Sequence, residues 1–182
     1  DANLTPEAFT SAGYDLMVWL DTSAHLVLAR TLDPERTELV RRPPASLERW
    51  LSRDGPLVAP HAATRGLVLL REGPMLVAAS PILTSSNEGP AHGTFIVGRR
   101  LPANWRDTLS KLTGLAVEVH RLDGGALDPS LEQALASLAA GEQHVIGVPG
   151  PSTVAGHLII PDLGNQPALL IRVSGPRTIY AR

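Results

Sequence analysis

Residues 66–101 carry the pattern that most restricts how this chain can fold, because apolar runs there alternate with short segments rich in glycine and proline. The first two runs, 67–71 and 75–83, are separated by a single Glu-Gly-Pro step. Proline cannot donate to a sheet ladder and glycine suits tight turns, so this step predicts a hairpin. The polar segment 84–90 then leads to a third run, 92–100, and the whole stretch predicts consecutive antiparallel strands.

The rest of the chain mixes short strand-like runs with helical patterns and shows no β-α-β rhythm. The runs 14–20, 25–31, 115–119, 144–148, 153–160 and 168–173 are predicted strands, and 46–54, 103–113 and 129–140 are predicted helices. Hairpin strands with helices inserted between them favour α+β proteins. We therefore expect a single α+β domain with a central antiparallel sheet of five or more strands, which the helices flank.

The predicted helices have recognisable ends and apolar faces. Asp128 is placed as an N-cap, a proline follows it, and Gly141 comes directly after the last apolar residue of that helix. In the helix before it, Trp105, Leu109 and Leu112 recur at helical spacing, so we expect all three to pack against the sheet. If Trp105 is buried, its truncation to alanine should cost about 3 kcal/mol.

Composition excludes several classes of protein. The formal net charge is -2, with 16 basic and 18 acidic residues spread along the chain, so the clustered basic face that nucleic acid requires is not expected. The chain has no cysteine, which rules out disulfides, thiolate catalysis and cysteine-based metal centres. No apolar run approaches the length needed to cross a bilayer.

Signatures of catalysis are missing as well. The chain contains no G-x-S-x-G elbow, no H-E-x-x-H pair and no glycine-rich phosphate loop before a helix. Its six histidines occur singly rather than at metal-ligand spacing. We therefore expect a non-enzymatic domain with no catalytic residues, no metal site and no cofactor.

The same residues carry a family resemblance. The order Gly66-Leu67, Gly73-Pro74-Met75-Leu76-Val77-Ala78-Ala79, Pro81-Ile82, Gly89-Pro90, Gly93-Thr94 and Gly98-Arg99 resembles the fourth family of CHASE-type extracellular sensing domains. Weaker similarity extends to residues 14–21 and 167–177. The resemblance implies a PAS-like or Cache-like fold. It also implies a place outside the membrane in a bacterial or archaeal sensor histidine kinase, or in a protein that makes or degrades cyclic di-GMP.

The resemblance also implies how the domain is connected. Residues 1–13 would be the remnant of a membrane-proximal helix, 14–173 the α+β core, and 174–182 a tail leading to a second membrane helix. Such receptors work as homodimers and pass a signal through the membrane helices to a cytoplasmic output domain. Leu4 and Phe9 would then face the partner's helix. The expected location is the periplasm or outer face of the cell membrane.

Candidate ligand contacts come partly from residue chemistry. Trp19 is either a core anchor or a wall of a ligand pocket. Arg71, Arg99 and Arg100 carry guanidinium groups that could pair with an anionic ligand, although an arginine after Gly98 could equally cap the sheet.

Polar residues that interrupt apolar strands supply the other candidates. The candidate ligand-binding residues are thus Trp19, Arg71, Ser80, Thr94, Arg99 and His157. The ligand itself would be an unidentified small molecule. The alternative function is a dimerisation or interaction scaffold of a membrane receptor that binds no ligand.

Overall fold

The computed structural model describes residues 4–33, 38–52, 54–58, 63–85, 89–150 and 152–177. The chain divides into two compact units, Asp1–Leu101 and Pro102–Arg182, each built on its own antiparallel sheet. The predicted α+β class with a large antiparallel sheet is confirmed. The expectation of a single central sheet was incomplete, because the strands pair into two separate sheets, one of six strands and one of four.

The first unit, here called the six-stranded unit, contains a helix, a short 3-10 helix and six strands. Its elements are α1 (Pro6–Ala12), β1 (Leu16–Leu20), β2 (Leu26–Leu32), β3 (Leu39–Val40), a 3-10 helix (Ala45–Trp50), β4 (Thr64–Leu70), β5 (Gly73–Pro81) and β6 (Thr94–Arg100). The strand order is β3-β2-β1-β6-β5-β4. The three strands predicted from residues 66–101 therefore lie side by side in one sheet.

The β4–β5 hairpin turns slightly earlier than the sequence suggested. Leu70 pairs with Gly73, so Arg71 and Glu72 form the turn and Pro74 already lies in β5. The carbonyl of Pro74 accepts a hydrogen bond from the N–H of Leu101 at 3.0 Å. Proline is tolerated here because only its carbonyl is needed.

The segment between β2 and β4 differs most from expectation. No strand was predicted between residues 32 and 44, yet Leu39–Val40 pairs with β2 as a short edge strand. The helix predicted at 46–54 is a 3-10 helix that ends at Trp50 and has no side-chain N-cap. Leu47 and Trp50 of this helix are nevertheless buried.

The end of the sheet near Leu16 is held by a buried carboxylate. Asp15 lies immediately before β1 and its Oδ2 accepts the backbone N–H of Arg100 at 2.8 Å. The guanidinium of Arg100 lies 3.5 Å from Oδ1 of Asp15 and donates to the carbonyls of Leu32 and Asp33 at 2.6 and 3.0 Å. One charged pair thus connects β6 with the start of β1 and the end of β2.

The second unit, here called the four-stranded unit, pairs its strands in the order β7-β10-β9-β8. Its elements are α2 (Trp105–Thr113), β7 (Ala116–Arg121), α3 (Pro129–Ala139), β8 (Val145–Gly150), β9 (Thr153–Pro161) and β10 (Pro167–Pro176). The N-cap at Asp128 is confirmed, and Gly141 follows the helix with φ 108°. Leu131, Leu138 and Leu170 form the buried cluster between α3 and the sheet.

Helix α2 packs less deeply than predicted. It ends as expected at Gly114, which takes a left-handed conformation. Trp105 and Leu109 are only half-buried, and Leu112 is 78 % exposed, so the expectation that all three pack against the sheet was wrong for Leu112. Helical spacing defines an apolar face but not what covers it. Because Trp105 is only half-buried, the full burial cost estimated for it does not apply.

The first and last described segments can be compared with the predicted membrane-proximal helix and C-terminal tail. Helix α1 forms where a helical remnant was expected and stops at Gly13, with φ 72°. Phe9 is only 1 % exposed, so it belongs to the core of its own unit and does not offer a face to a partner helix. At the other end β10 continues to Pro176, so the predicted tail from 174 begins inside a strand, and 178–182 lie outside the described residues.

No helix in the described ranges combines the length and apolar character needed to cross a membrane.

In the four-stranded unit, β8 is an edge strand, and Ile146 and Val148 on it are 68 % and 54 % exposed.

Replacement of Asp15 by alanine should lower the free energy of unfolding by about 3 kcal/mol, because the partly buried guanidinium of Arg100 loses its counter-charge. Urea unfolding followed by circular dichroism measures this change. Glu38→Ala, at an exposed carboxylate of the same unit, should stay within about 0.5 kcal/mol of the wild type. Equal changes in the free energy of unfolding for the two substitutions would show that the buried pair contributes no more than an exposed carboxylate.

Gly98→Ala tests the close packing in the middle of β6. A Cβ at Gly98 would stand 2.7 Å from Sδ of Met75 and 3.2 Å from the side chain of Leu16, so we expect destabilisation of about 2 kcal/mol. Met75→Val removes the crowding sulfur. In a double-mutant cycle the pair should therefore be less destabilised than the sum of the single variants. Strict additivity would contradict the packing argument.

Candidate functional site

Two of the predicted ligand contacts lie in one row across a face of the six-stranded sheet. Ser80 pairs with Phe95, and Phe95 pairs with Trp19, so the three side chains lie in one row. The rings of Trp19 and Phe95 are 4.7 Å apart between centroids and tilted by 41°. Trp19 is half-buried and Ser80 exposed, so this row combines packing with an accessible edge.

The other predicted residues of this unit lie elsewhere on it. Thr94 is buried on the opposite face, and Arg71 is exposed in the β4–β5 turn. Arg99 is exposed, and its Nη1 lies 3.5 Å from the position of a Cβ on Gly13. Arg100 is engaged with Asp15, so its role is structural. The structure therefore does not gather these residues into one cluster.

The six-stranded unit instead contains a cleft at the end of the β1–β2 hairpin. It has a volume of about 710 Å³. Its walls come from the hairpin, the segment before the 3-10 helix, that helix and the β4–β5 turn. The lining residues are Leu20, Ala24, Leu26, Arg42, Pro43, Pro44, Ala45, Glu48, Leu51, Ser52 and Glu72.

The cleft combines an apolar floor with charges of both signs. Arg42 and Glu48 are exposed on its walls, and Glu72 accepts a hydrogen bond from the hydroxyl of Ser46 at 2.5 Å. The hydroxyl of Thr31 donates to the carbonyl of Arg42 at 2.6 Å and so fixes the backbone that carries the guanidinium. Such a lining suits a small molecule that has an apolar body and both cationic and anionic groups.

One wall of the cleft is a turn closed by Asp21. Its Oδ1 accepts the backbone N–H groups of Ser23 and His25, each at 2.8 Å, and its Oδ2 lies 3.2 Å from Nδ1 of His25. The hydrogen bond from the His25 N–H is the main reason that the pKa of Asp21 lies below its ordinary value. Ala24, which lines the cleft, takes φ 67° in this turn, a conformation that costs free energy for a residue with a Cβ.

A second cavity, of about 290 Å³, lies in the four-stranded unit between α3 and the sheet. Helix α3 contributes Ser130, Gln133, Ala134 and Ser137, which recur at helical spacing and so share one side of the helix. The sheet contributes His157 from β9 and Arg172 from β10, among others. The predicted ligand residue His157 therefore does line a cavity.

The polar atoms in this cavity are only partly satisfied. Nδ1 and Nε2 of His157 and Nε of Arg172 are buried and have no hydrogen-bond partner among the described residues. Nη1 of Arg172 lies 3.6 Å from a carboxylate oxygen of Glu118, which in turn lies 3.5 Å from Nε2 of His120. Buried polar groups without partners are rare in native proteins, so this cavity is chemically distinctive.

The sequence carried a signal for one of the residues that our prediction missed. Arg172 interrupts the apolar run 168–173, so the criterion that selected His157 also selects Arg172. No comparable signal existed for Arg42, Glu48 and Glu72, because they come from separate loops and meet only in the folded unit. Among the described residues no group of three histidine or carboxylate side chains is arranged to hold a metal ion.

The described residues thus form two antiparallel sheet units, each with a cavity. The class of the domain comes from the family comparison. Residues 1–120 match the family described as CHASE4 domain, and the chain therefore belongs to the CHASE4 family of sensor domains. This confirms the resemblance inferred from residues 66–101.

One relative is a full-length signalling protein. The chain is 28 % identical over 183 aligned positions to the methanogenesis regulatory histidine kinase FilI of Methanothrix harundinacea. The alignment covers 99 % of this chain but 20 % of FilI, so the chain spans about a fifth of that relative.

Matches among solved structures include extracellular and chemotaxis receptor proteins. The extracellular domain of vpHK1S-Z8, described as a histidine kinase, matches with a TM-score of 0.47 and 13 % identity over 93 % of this chain and 71 % of that one. Methyl-accepting chemotaxis protein X matches with a TM-score of 0.47 and 16 % identity, over 96 % of this chain and 80 % of that one.

The cap of α3, beside the second cavity, gives a pH-dependent prediction. Asp128 accepts hydrogen bonds from the Ser130 hydroxyl at 2.6 Å and from the Leu131 N–H at 3.0 Å. The hydroxyl of Ser130 is the main cause that lowers the pKa of Asp128 below its ordinary 3.8, and the charge of Arg172 acts in the same direction. The carboxylate therefore stabilises the fold above that value, and its contribution is lost as pH falls through the lower folded-state pKa.

Asp128→Ala should thus unfold at lower urea than the wild type at neutral pH, and the gap should close in acid. Urea titrations at a series of pH values measure it. Ser130→Ala removes the main cause of the lowered pKa, so loss of stability should begin at higher pH in that variant. A gap between wild type and Asp128→Ala that stays constant down to strong acid would contradict this account.

Proposed function

We propose that this chain is the extracytoplasmic ligand-sensing domain of a membrane-bound signal-transduction receptor, and that it transmits ligand binding across the membrane. Membership in the CHASE4 sensor family supports the class. The single observation that supports the proposal of ligand binding is the cleft of about 710 Å³. Its lining residues lie within the range that the family match covers.

The lining of the cleft indicates which ligands to expect. Arg42 can pair with a carboxylate of the ligand, and Glu48 and Glu72 can pair with an ammonium group. Leu20, Leu26 and Leu51 offer an apolar surface between these charges. Amino acids and related zwitterions match this combination better than purely apolar or polyanionic molecules.

Signal transmission follows from the way the cleft is built. Its walls come from four separate segments of the six-stranded unit, so a ligand that contacts all of them favours one arrangement of those segments over another. A ligand shifts such an equilibrium only by its difference in affinity for the two states, typically about 1–3 kcal/mol. In the receptor we propose, a homodimer carries that shift through its membrane helices to a cytoplasmic output domain. The output domain would be a histidine kinase or a cyclic di-GMP enzyme.

A thermal-shift screen with amino acids, organic acids and purines tests ligand binding. A ligand at a hundred times its dissociation constant adds about 2.7 kcal/mol, which raises the melting temperature by several degrees in a protein of this size. Arg42→Gln and Glu48→Gln should abolish the shift without lowering stability, because both side chains are exposed. Glu38→Gln, which lies outside the cleft, is the matched control.

Two results would count against the proposal. A shift that persists in both cleft variants would place the ligand elsewhere in the molecule. No shift across the whole library would favour the alternative function, a receptor scaffold that holds two chains together and binds no ligand.

A further inference from the structure

The four-stranded sheet carries a polar row on the face that packs against α3. His157 of β9 lies directly opposite Arg172 of β10, and Glu118 of β7 lies opposite Arg172 on its other side. Directly paired residues of antiparallel strands point to the same face of a sheet. The three side chains therefore cross the sheet as one row, next to the apolar cluster that contains Leu170.

Several polar atoms of this row have no hydrogen-bond partner within the part of the chain that the structure describes. His157 is only 7 % exposed, and neither of its ring nitrogens has a partner among the described residues. Nε of Arg172 is buried and equally unpartnered, while the Nη1 side of the same guanidinium lies near Glu118. Such groups are normally satisfied by protein, water or a ligand, because leaving them unpaired in the interior costs free energy.

A cavity of suitable size lies beside these atoms. Its volume is about 290 Å³, and α3 closes it with Gln133 and Ser137, whose side chains can also donate hydrogen bonds, and with Ser130, whose hydroxyl already donates to Asp128. We propose that this cavity is a second binding site of the domain, and that it takes a short-chain carboxylate, with the carboxylate held by Arg172 and His157.

The charges around the cavity favour a carboxylate over more highly charged anions. A guanidinium edge matches the two oxygens of a carboxylate, and a histidine N–H can donate to one of them. Glu118 lies near Nη1 of Arg172 and partly neutralises its positive charge. The site should therefore bind a doubly charged phosphate less well than a carboxylate. The apolar lining at Ala134 and Val145 suits a short hydrocarbon tail.

This site is independent of the cleft in the six-stranded unit. All of the residues that would hold the ligand lie beyond residue 120, where the family match ends. The inference therefore stands whether or not the cleft binds a ligand.

Titration of the whole chain with sodium propionate at constant ionic strength tests the site, with the neutral isostere propionamide as the comparison. We expect saturable binding in calorimetry and movement of the His157 ring signals in NMR spectra, assigned with His157→Gln. Propionamide should give neither response. Absence of saturable propionate binding, or an equal response to inorganic phosphate, would overturn the proposal.

Two glycines of the sheet provide a matched pair of variants that leave the polar groups untouched. A Cβ on Gly147 or on Gly156 would meet no atom within 4 Å, so valine should be accommodated at either position. Gly147 lines the cavity, whereas Gly156 neighbours His157 in β9 and so points to the opposite face. Gly147→Val should block propionate binding and Gly156→Val should not. Equal affinities in the two variants would place the ligand outside the cavity.

Substitutions of the proposed contacts complete the test. Arg172→Gln should weaken propionate binding about tenfold or more, whereas Arg106→Gln, at an exposed arginine of α2, should leave it unchanged. His157→Leu removes unpaired polar atoms from the interior, so it should fold at least as well as the wild type and still lose the ligand. Unchanged affinity in His157→Leu and Arg172→Gln would show that these side chains do not hold the carboxylate.

Discussion

The buried pair of Asp15 and Arg100 holds the arrangement on which the six-stranded unit depends. The backbone of Asp15 bonds to Gly98 on one side and to Leu32 on the other, each at 2.8 Å, while its carboxylate receives the N–H of Arg100. A buried charge is tolerated only when it is paired and hydrogen-bonded, so these contacts fix the three strands together. The pair lies at one end of the β1–β2 hairpin, and the cleft lies at the other. One end of the hairpin is therefore anchored, and the end that lines the cleft is not bound by the same constraint.

Much of the fold was predictable because its signals are local. The glycine and proline steps of residues 66–101 fixed a meander, and Asp128 with the proline after it fixed the start of α3, since both depend on neighbouring residues only. Division into two sheets was not predictable in this way. It depends on which strands pair over long sequence distances, and β6 uses both of its edges within the first unit. The burial of Phe9 and the exposure of Leu112 were missed for the same reason, because helical spacing defines a face but not what covers it.

The candidate sites could also be predicted only where the signal is local in the sequence. His157 and Arg172 each break an apolar strand, and that departure from the pattern is visible in the sequence. Their pairing across β9 and β10 is not, because register is set by the whole sheet. Arg42, Glu48 and Glu72 give no signal at all, since charged residues in loops are ordinary. A polar residue in an apolar strand thus pointed to a cavity at His157, but not at Ser80 or Thr94, which line neither cavity.

Edge strand β8 has a consequence for handling the protein. An edge strand leaves backbone N–H and C=O groups unpaired along one side, and exposed Ile146 and Val148 make that side attractive to another strand. Pro149 lies near the end of the same strand and has no N–H to donate, which limits how far an added strand could pair. Partial unfolding of the four-stranded unit would nevertheless expose this short apolar strand to other copies. Aggregation at high concentration should therefore begin at β8, and a lysine in place of Ile146 is the simplest way to improve solubility.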